Sequence, residues 1–330
     1  MNTLTFPILR LLADGRFHSG EAIARHFRVS RTTVWNALQE AEALGVQIFS
    51  VRGRGYRLPE PVAWLERDAV LDAIGEQRAW YKLELHDHLE STNSYLMQQA
   101  ARGAPHASCV AASLQTRGRG RRGRVWQSGL GASLTFSLLW RFQSGAAALS
   151  GLSLAVGVAM VRSFRALGIA EAQLKWPNDL VVERQGQFRK LAGILIELQG
   201  DMEGPSAAVI GIGVNLRLPE QVKKHIDQPA IDLFTLNEKA ASPSQLLGLL
   251  LKNMAETLSE FEQQGFAAVS DEWTQHHAYH NQPVRMLLPD GRELQGVARG
   301  VADDGILLVE TAGGLQRFSA GEISLRGATA

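Results

Sequence analysis

Cysteine is almost missing: Cys109 is the single thiol in 330 residues. One thiol excludes an internal disulfide and any zinc site built on cysteines, and it suits a reducing compartment, so the cytoplasm is the expected location. A long apolar run is missing as well. The longest candidate, Gly145 to Val161, is rich in Ala, Gly and Ser and meets Arg162 at once, so it reads as a buried helix and no membrane association is expected. The N-terminus lacks a basic stretch leading into a compact apolar segment with a small-residue cleavage site, so no export signal is read there. Carboxylates do not cluster at metal-ligand spacing. Nor is there an excess of one charge, since the formal net charge is +1. That total conceals a local extreme, because Arg117 to Arg124 holds five arginines and three glycines with no acid between them.

A chain of 330 residues with 45% apolar content exceeds the comfortable size of one core, so two or three domains are expected. Leu4 to Leu12 has helical apolar spacing and stops at Asp14-Gly15. A short helix over Glu21 to Phe27, a turn at Val29-Ser30, and a helix over Arg31 to Leu44 capped by Ser30 make the helix-turn-helix pattern. Val46 to Leu58 reads as two strands around Arg52-Gly53-Arg54-Gly55, a basic wing, and Pro59-Glu60-Pro61 ends the unit. From about Trp64 onward, strands are expected at Cys109 to Ser113, Ser133 to Trp140, Leu180 to Glu183, Ala192 to Leu198 and Ala208 to Leu216. Helices are expected at Asn93 to Ala101, Ala146 to Leu167, Pro243 to Gln263 and Ala267 to His277. Turns rather than helices separate most of these strands, which predicts an α+β domain with a mixed sheet. Past Gln282, short runs punctuated by Pro289-Asp290-Gly291, Asp304-Gly305 and Gly313-Gly314 predict a small β-barrel. The expected domains are therefore 1–60, 64–280 and 281–330.

The arginine-glycine run is too glycine-rich and too repulsive for a regular element, and left alone it should be mobile. Glycine lets backbone N–H groups turn toward an anion and arginine adds planar donors, so a phosphate or acyl phosphate is the natural ligand. By composition alone, a solvated RNA-binding tract is an equal reading. Its position inside a folded domain, ahead of Trp126, argues against a tail.

Five short motifs stand in order: Ser91-Thr92-Asn93, the arginine-glycine run, Lys175-Trp176-Pro177-Asn178-Asp179, Lys190-Leu191-Ala192-Gly193-Ile194 and Gly211-Ile212-Gly213-Val214-Asn215. Each is weak singly. Together, in this spacing, they resemble bacterial biotin protein ligases, specifically the bifunctional kind that also represses the biotin operon. The likeness runs to the closing Gly321-Glu322-Ile323-Ser324-Leu325-Arg326 and covers nearly the whole chain. It implies a winged helix-turn-helix, a central domain like the catalytic domains of biotin ligases and class II aminoacyl-tRNA synthetases, and an SH3-like closing barrel.

Biotin's carboxylate must attack the α-phosphorus of ATP, so two anions have to approach, and the site must supply preorganised positive charge. The resemblance assigns that task to Lys190, Arg119 and Arg121. It assigns biotin to Ser91, Thr92, Asn93, Gln115, Gly118, Arg119, Arg121, Trp126, Lys190 and Gly193. The adenylate falls to Arg121, Lys175, Asn178, Asp179, Lys190 and Asn215. Simpler roles stand beside these: helix capping for Ser91 and Thr92, core packing for Trp126, a turn for Asn215 and a solvated loop for Lys190. Asp179 either orients Lys190 or contacts Mg²⁺ that arrives with ATP; no permanently bound cofactor is implied. The implied acceptor is a lysine of the biotin carboxyl carrier protein of acetyl-CoA carboxylase.

On the helix Arg31 to Leu44, Val34, Leu38 and Ala41 share an inward face. Arg31, Thr32, Thr33, Asn36 and Gln39 are left for operator DNA, with Arg52 and Arg54 on the wing, and Trp35 is expected to bury against the wing. The rival is a docking or dimerisation module. If both activities hold, biotinyl-AMP would order the arginine loop and favour a homodimer on a two-fold operator. Lipoate ligase activity, a ligase with a non-repressing N-terminal domain, and a sensor without chemistry are the other readings. Residues 219–236 and the closing barrel carry no assignment.

Overall fold

The computed structural model describes residues 2–200, 203–237, 242–288, 292–319 and 324–327. The expected turn Pro289-Asp290-Gly291 and residues Gly321 to Ile323 of the closing motif lie outside them.

Helices α1 (Thr5–Leu11), α2 (Gly20–Phe27) and α3 (Arg31–Ala43) form the N-terminal unit. Ser19 caps α2 by accepting from the Ala22 N–H, and Ser30 caps α3 by accepting from the Thr33 N–H. The chain turns between them at Arg28, which holds a left-handed φ of 55°. Ile8, Leu9, Ile23, Val34, Leu38 and Ala41 close the small core. The wing is an antiparallel hairpin of β1 (Phe49–Val51) and β2 (Gly55–Arg57). It packs on the helices through Gly55, where a side chain would run 2.0 Å from the His18 carbonyl oxygen, so only glycine fits. Trp35 departs from expectation: it is 53% exposed on α3, because Val34, Ala37, Leu38 and Ala41 already fill the buried face.

The linker leads into α4 (Arg67–Ile74), then β3 (Lys82–Leu89), α5 (Thr92–Ala101), β4 (Ser108–Gln115), β5 (Ser133–Phe142), α6 (Leu152–Ala166), β6 (Gln173–Lys175), β7 (Asp179–Arg184), β8 (Gln187–Gly200) and β9 (Ser206–Asn215). Short helices α7 (Glu220–Lys223) and α8 (Leu233–Leu236) precede α9 (Pro243–Gln264) and α10 (Ser270–Gln275). Seven strands make one sheet in the order β3-β4-β5-β9-β8-β7-β6. It is mixed, since β3 and β4 run parallel around the α5 crossover and every other pair is antiparallel.

Sequence reasoning did not find α4, β3 or β6. Residues 82–89 alternate charged and apolar side chains in KLELHDHL, and only Leu83 of this edge strand is buried, so its strand character depends on β4. The expected helix over 146–167 is broken at Gly151, whose left-handed φ of 82° starts α6 and whose Cβ would lie 2.6 Å from the Phe266 ring stem.

Helices α4, α6 and α9 cover one face of the sheet and form the large core. On the other face α5 covers only part, through Leu96 and Ala100 on Val110, Leu139 and Val209. The uncovered remainder is where the site lies. The C-terminal strands β10 (Pro283–Leu287), β11 (Glu293–Val301), β12 (Leu307–Thr311), β13 (Gly314–Phe318) and β14 (Ser324–Gly327) form an antiparallel five-stranded sheet in the order β13-β12-β11-β10-β14. It is joined to the central domain where the Trp176 indole N–H donates to the Gly305 carbonyl at 3.2 Å.

Candidate active site

Residues at alternate positions of a strand share a face. On β9 these are Gly211, Gly213 and Asn215, paired across to Leu195 and Gly193 on β8 and to Ser137, Thr135 and Ser133 on β5. The glycines make a depression in the sheet surface. A Cβ at Gly211 would lie 2.0 Å from Asn93 Oδ1, and one at Gly213 would lie 2.4 Å from the Trp126 ring, so each glycine admits one large side chain from above. The resulting cavity holds about 360 Å³ and is roofed by the arginine-glycine run.

One end of the cavity is a ring of polar side chains. Ser91 and Thr92 open α5, and Ser91 does cap it, accepting from the Ser94 N–H. Gln115 Oε1 accepts from the Thr92 N–H at 2.9 Å and from the Thr92 hydroxyl at 3.2 Å. Ser137 Oγ donates to Asn93 Oδ1 at 2.6 Å and sits 2.8 Å from Thr92 Oγ1. Asn93 Nδ2 donates to Glu197 Oε2 at 2.9 Å and to the Leu195 carbonyl. Both ends of the Asn93 amide are therefore engaged by protein.

The other end is charged. Lys190 Nζ lies 2.6 Å from Asp179 Oδ1, with both side chains largely buried, and 5.6 Å from the centre of the Trp126 ring. Lys190 does not sit in a loop, because β8 begins at Gln187. A bulge makes it useful: Val181 pairs with Lys190 and Leu180 with Ala192, so Leu191 is the extra residue. Strict alternation would place Lys190 opposite Gly193; the bulge restores it to the same face, where a Cβ on Gly193 would meet Lys190 Nζ at 2.8 Å. Asn178 anchors the neighbouring strand by donating to the Ile194 carbonyl at 2.8 Å and accepts from Arg121 at 3.2 Å. Lys175 lines the same end, beside the cis peptide between Trp176 and Pro177.

The roof is folded as a hairpin. Trp126 N–H donates to the Gly118 carbonyl, Gly120 N–H donates to the Arg124 carbonyl at 2.7 Å, and Arg119 bridges to Val125. Gly118 is required, since a Cβ there would lie 2.5 Å from the Trp126 carbonyl oxygen. Carboxylates tether the hairpin: Arg117 to Glu90 at 3.4 Å and Arg119 to Glu197 at 2.6 Å. Arg121 is half-buried over the cavity, and burial pulls its guanidinium below the usual arginine value, opposed by the attraction of Asp179.

Asn215 is 3% exposed and donates through Nδ2 to the carbonyls of Lys190 and Ile231, both at 3.1 Å. It thereby seals residues 229–231 against β8, where Lys190 N–H also donates to the Pro229 carbonyl. Its Oδ1 is left as an acceptor at the cavity edge. His225 to Gln228 and Ala230, unassigned from sequence, line the cavity, as does Leu325 of β14. Ser137, Glu197 and Leu325 were missed. For Ser137 the available signal was the alternation Ser133, Thr135, Ser137 on a strand whose other face is apolar.

At the N-terminal unit Arg31, Thr32, Asn36 and Gln39 are exposed on α3, and Arg52 and Arg54 on the wing. The Thr33 hydroxyl is 2.9 Å from Ser30 Oγ, and Gln39 donates to Glu42 at 2.6 Å, so the face open to a polyanion is the N-terminal half of α3.

A cationic hairpin above a buried lysine–carboxylate pair, with neutral polar groups at the far end, is the arrangement of an enzyme that joins a small organic acid to a nucleotide, here carried with a helix-turn-helix. The Biotin/lipoate A/B protein ligase family model matches residues 86–215, the Biotin protein ligase C terminal domain matches 279–326, and an HTH domain matches 5–57. Bifunctional ligase/repressor BirA of Escherichia coli (strain K12) is 36% identical over 99% of this chain and 98% of its own, and its namesake in Bacillus subtilis (strain 168) is 27% identical over 98% and 99%. Among solved structures, the biotin protein ligase from Aquifex aeolicus in complex with biotin and ATP superposes with a TM-score of 0.62 at 27% identity, covering 74% of this chain and 99% of that one. The chain belongs to the biotin protein ligase family.

Proposed function

We infer that this chain is an ATP-dependent biotin protein ligase and a biotin-responsive transcriptional repressor of biotin synthesis genes. The observation that carries the enzymatic reading is the Lys190–Asp179 pair beneath the arginine hairpin.

In the first step a carboxylate oxygen of biotin attacks the α-phosphorus of ATP, the bond to pyrophosphate breaks, and biotinyl-5′-AMP forms. The carboxylate is already ionised at neutral pH, so no base is needed. Lys190 carries the positive charge between the two anions, and Asp179 holds its amine in place against the Trp126 face. Arg121 and Arg119 cover the adenylate from the hairpin. In the second step the neutral amine of an acceptor lysine attacks the acyl carbon, the C–O bond to AMP breaks, and the amine's proton leaves to solvent.

Biotin's ureido ring belongs at the polar end, with Ser91, Thr92, Gln115 and the Gly118 backbone answering its one acceptor and two donors, and Trp126 walling the bicycle. Asn93 and Gly193 shape that pocket from behind. Lys175 and Asn178 serve the phosphate side, and Asn215 offers Oδ1 to the adenine amino group. Asp179, 2.6 Å from Lys190, would orient that amine or contact the Mg²⁺ that arrives with ATP. Biotin and ATP are substrates, and the acceptor is the biotin carboxyl carrier protein of acetyl-CoA carboxylase.

Arg31, Thr32 and Asn36 read operator DNA, and Arg52 and Arg54 meet its phosphates. A homodimer loaded with biotinyl-AMP would match a two-fold operator. No helix among the described residues is long and apolar enough to cross a membrane, and a cytoplasmic site of action fits both substrates.

Biotin-dependent pyrophosphate release, with transfer of label to carrier protein, tests the enzyme. Lipoate supporting the reaction in place of biotin, or no release at all, would overturn the assignment. Equal sedimentation with and without biotinyl-AMP would remove the coupling of dimerisation to the adenylate.

A further inference from the structure

Glu197 belongs to none of the motifs above, yet it connects the floor of the site to its roof. It lies on the β8 face shared with Gly193 and Leu195, and its side chain is 23% exposed. Its Oε2 accepts from Asn93 Nδ2 at 2.9 Å, and its Oε1 accepts from Arg119 at 2.6 Å. The second Arg119 nitrogen donates to Ser94 Oγ on α5 at 3.1 Å. Asn93 cannot drift: Ser137 and the Leu195 carbonyl hold its amide, and Gly211 leaves it a socket with no space for a Cβ. One carboxylate oxygen is thus fixed to rigid sheet, while the other holds a residue of the hairpin.

We propose that Glu197 is a positioning residue that latches the arginine hairpin over the site through Arg119, so that it governs how long the acyl adenylate stays covered. An exposed ion pair alone contributes little. Here the carboxylate is pre-oriented by Asn93, so little side-chain entropy remains to be lost when Arg119 docks, and the charge-assisted bonds act on hairpin opening rather than on the global fold. The hairpin holds five arginines, and a protease needs the backbone beside them locally opened before it can cut, which gives a direct readout: trypsin cuts the hairpin at a rate set by its open population. In Glu197→Gln the amide oxygen can still accept from Asn93, but its NH₂ then faces the Arg119 donors.

The latch itself is independent of the reaction, whereas its effect on adenylate retention rests on the ligase reading. The expected result for Glu197→Gln is trypsin cleavage within residues 117–124 accelerated about tenfold, with the melting temperature within about 2 °C of wild type. Biotinyl-AMP should escape about tenfold faster and KM for biotin should rise, while kcat for adenylation changes less than about threefold, and Glu197→Asp should recover part of each loss. Cleavage and escape both at wild-type rates would overturn the latch. So would a fall in melting temperature parallel to the fall in activity, which marks a merely structural carboxylate. Faster cleavage with no biotin-dependent pyrophosphate release in either protein would sustain the latch and sink the ligase assignment.

Discussion

Two loops in this chain are written in nearly the same letters, Arg52-Gly53-Arg54-Gly55 on the wing and Arg117 to Arg124 over the cavity. Both favour anions, but their surroundings differ. The cavity loop is pinned by Glu90, Glu197 and Asn178 and closes over a concave slot of about 360 Å³. On the wing, Arg54 stacks on the Phe17 ring at 4.3 Å, and neither Arg52 nor Arg54 has a carboxylate partner among the described residues. Its cations stay exposed on a two-stranded hairpin. Composition sets affinity for negative charge; the shape and counter-charge around a loop decide between a buried phosphoryl group and a long polyanion.

The sharpest way to break this comparison is to take the charge out from under one loop. Lys190→Ala should slow biotin-dependent pyrophosphate exchange by about a hundredfold or more, the usual cost of losing a preorganised charge at a transition state. It also leaves Asp179 buried without its cation, so the variant should be less stable by urea unfolding, and adding Asp179→Asn should restore stability without restoring exchange. Exchange within about threefold of wild type would contradict the role given to Lys190.

Gly213→Ala tests whether the cavity loop needs its floor. The new methyl would lie 2.4 Å from the Trp126 ring, and overpacking of this kind costs about 1 to 3 kcal/mol. Displaced Trp126 should weaken biotin binding by calorimetry while DNA binding is retained.

A histidine under neither loop separates global stability from both. His277 is 4% exposed, neither ring nitrogen has a hydrogen-bond partner among the described residues, and it stacks on Trp273. Burial, helped by the nearby His280, pushes its imidazole from 6.5 down to about 3. The folded protein therefore refuses a proton that the unfolded chain accepts, so this group's contribution is complete above pH 6.5 and is lost as pH falls toward 3. The loss should be about 1.4 kcal/mol per pH unit. Urea titrations at pH 7 and 5 should show it, and His277→Phe should flatten it.

The smallest effect is expected at the wing. Arg52→Ala with Arg54→Ala should lower the salt dependence of operator binding by about one unit of slope for each phosphate that is no longer neutralised, with pyrophosphate exchange unchanged. An unchanged slope would place the wing away from the backbone.

Most long elements could be read from sequence because their patterns are local: the cap Ser30, the apolar run of α6, the alternating faces of β5 and β9. The elements that escaped, α4, β3 and β6, are short or polar and become regular through a neighbour rather than through their own residues. Trp35 does not bury against the wing as expected, and nothing local in the sequence shows that the wing leaves it uncovered while other residues of α3 fill the core.

By itself the sequence determined which residue types meet an anion, where the glycines must be, and the order in which the motifs arrive, since these depend on composition and on periodicities a few residues long. It could not determine that Lys190 faces the cavity, because a one-residue bulge at Leu191 reverses the face of every side chain before it. Nor could it join Glu197 to Arg119, which lie 78 positions apart and are brought together only when β8 and the hairpin cross above Asn93. Facing and pairing of this kind are long-range geometry, decided when the sheet closes.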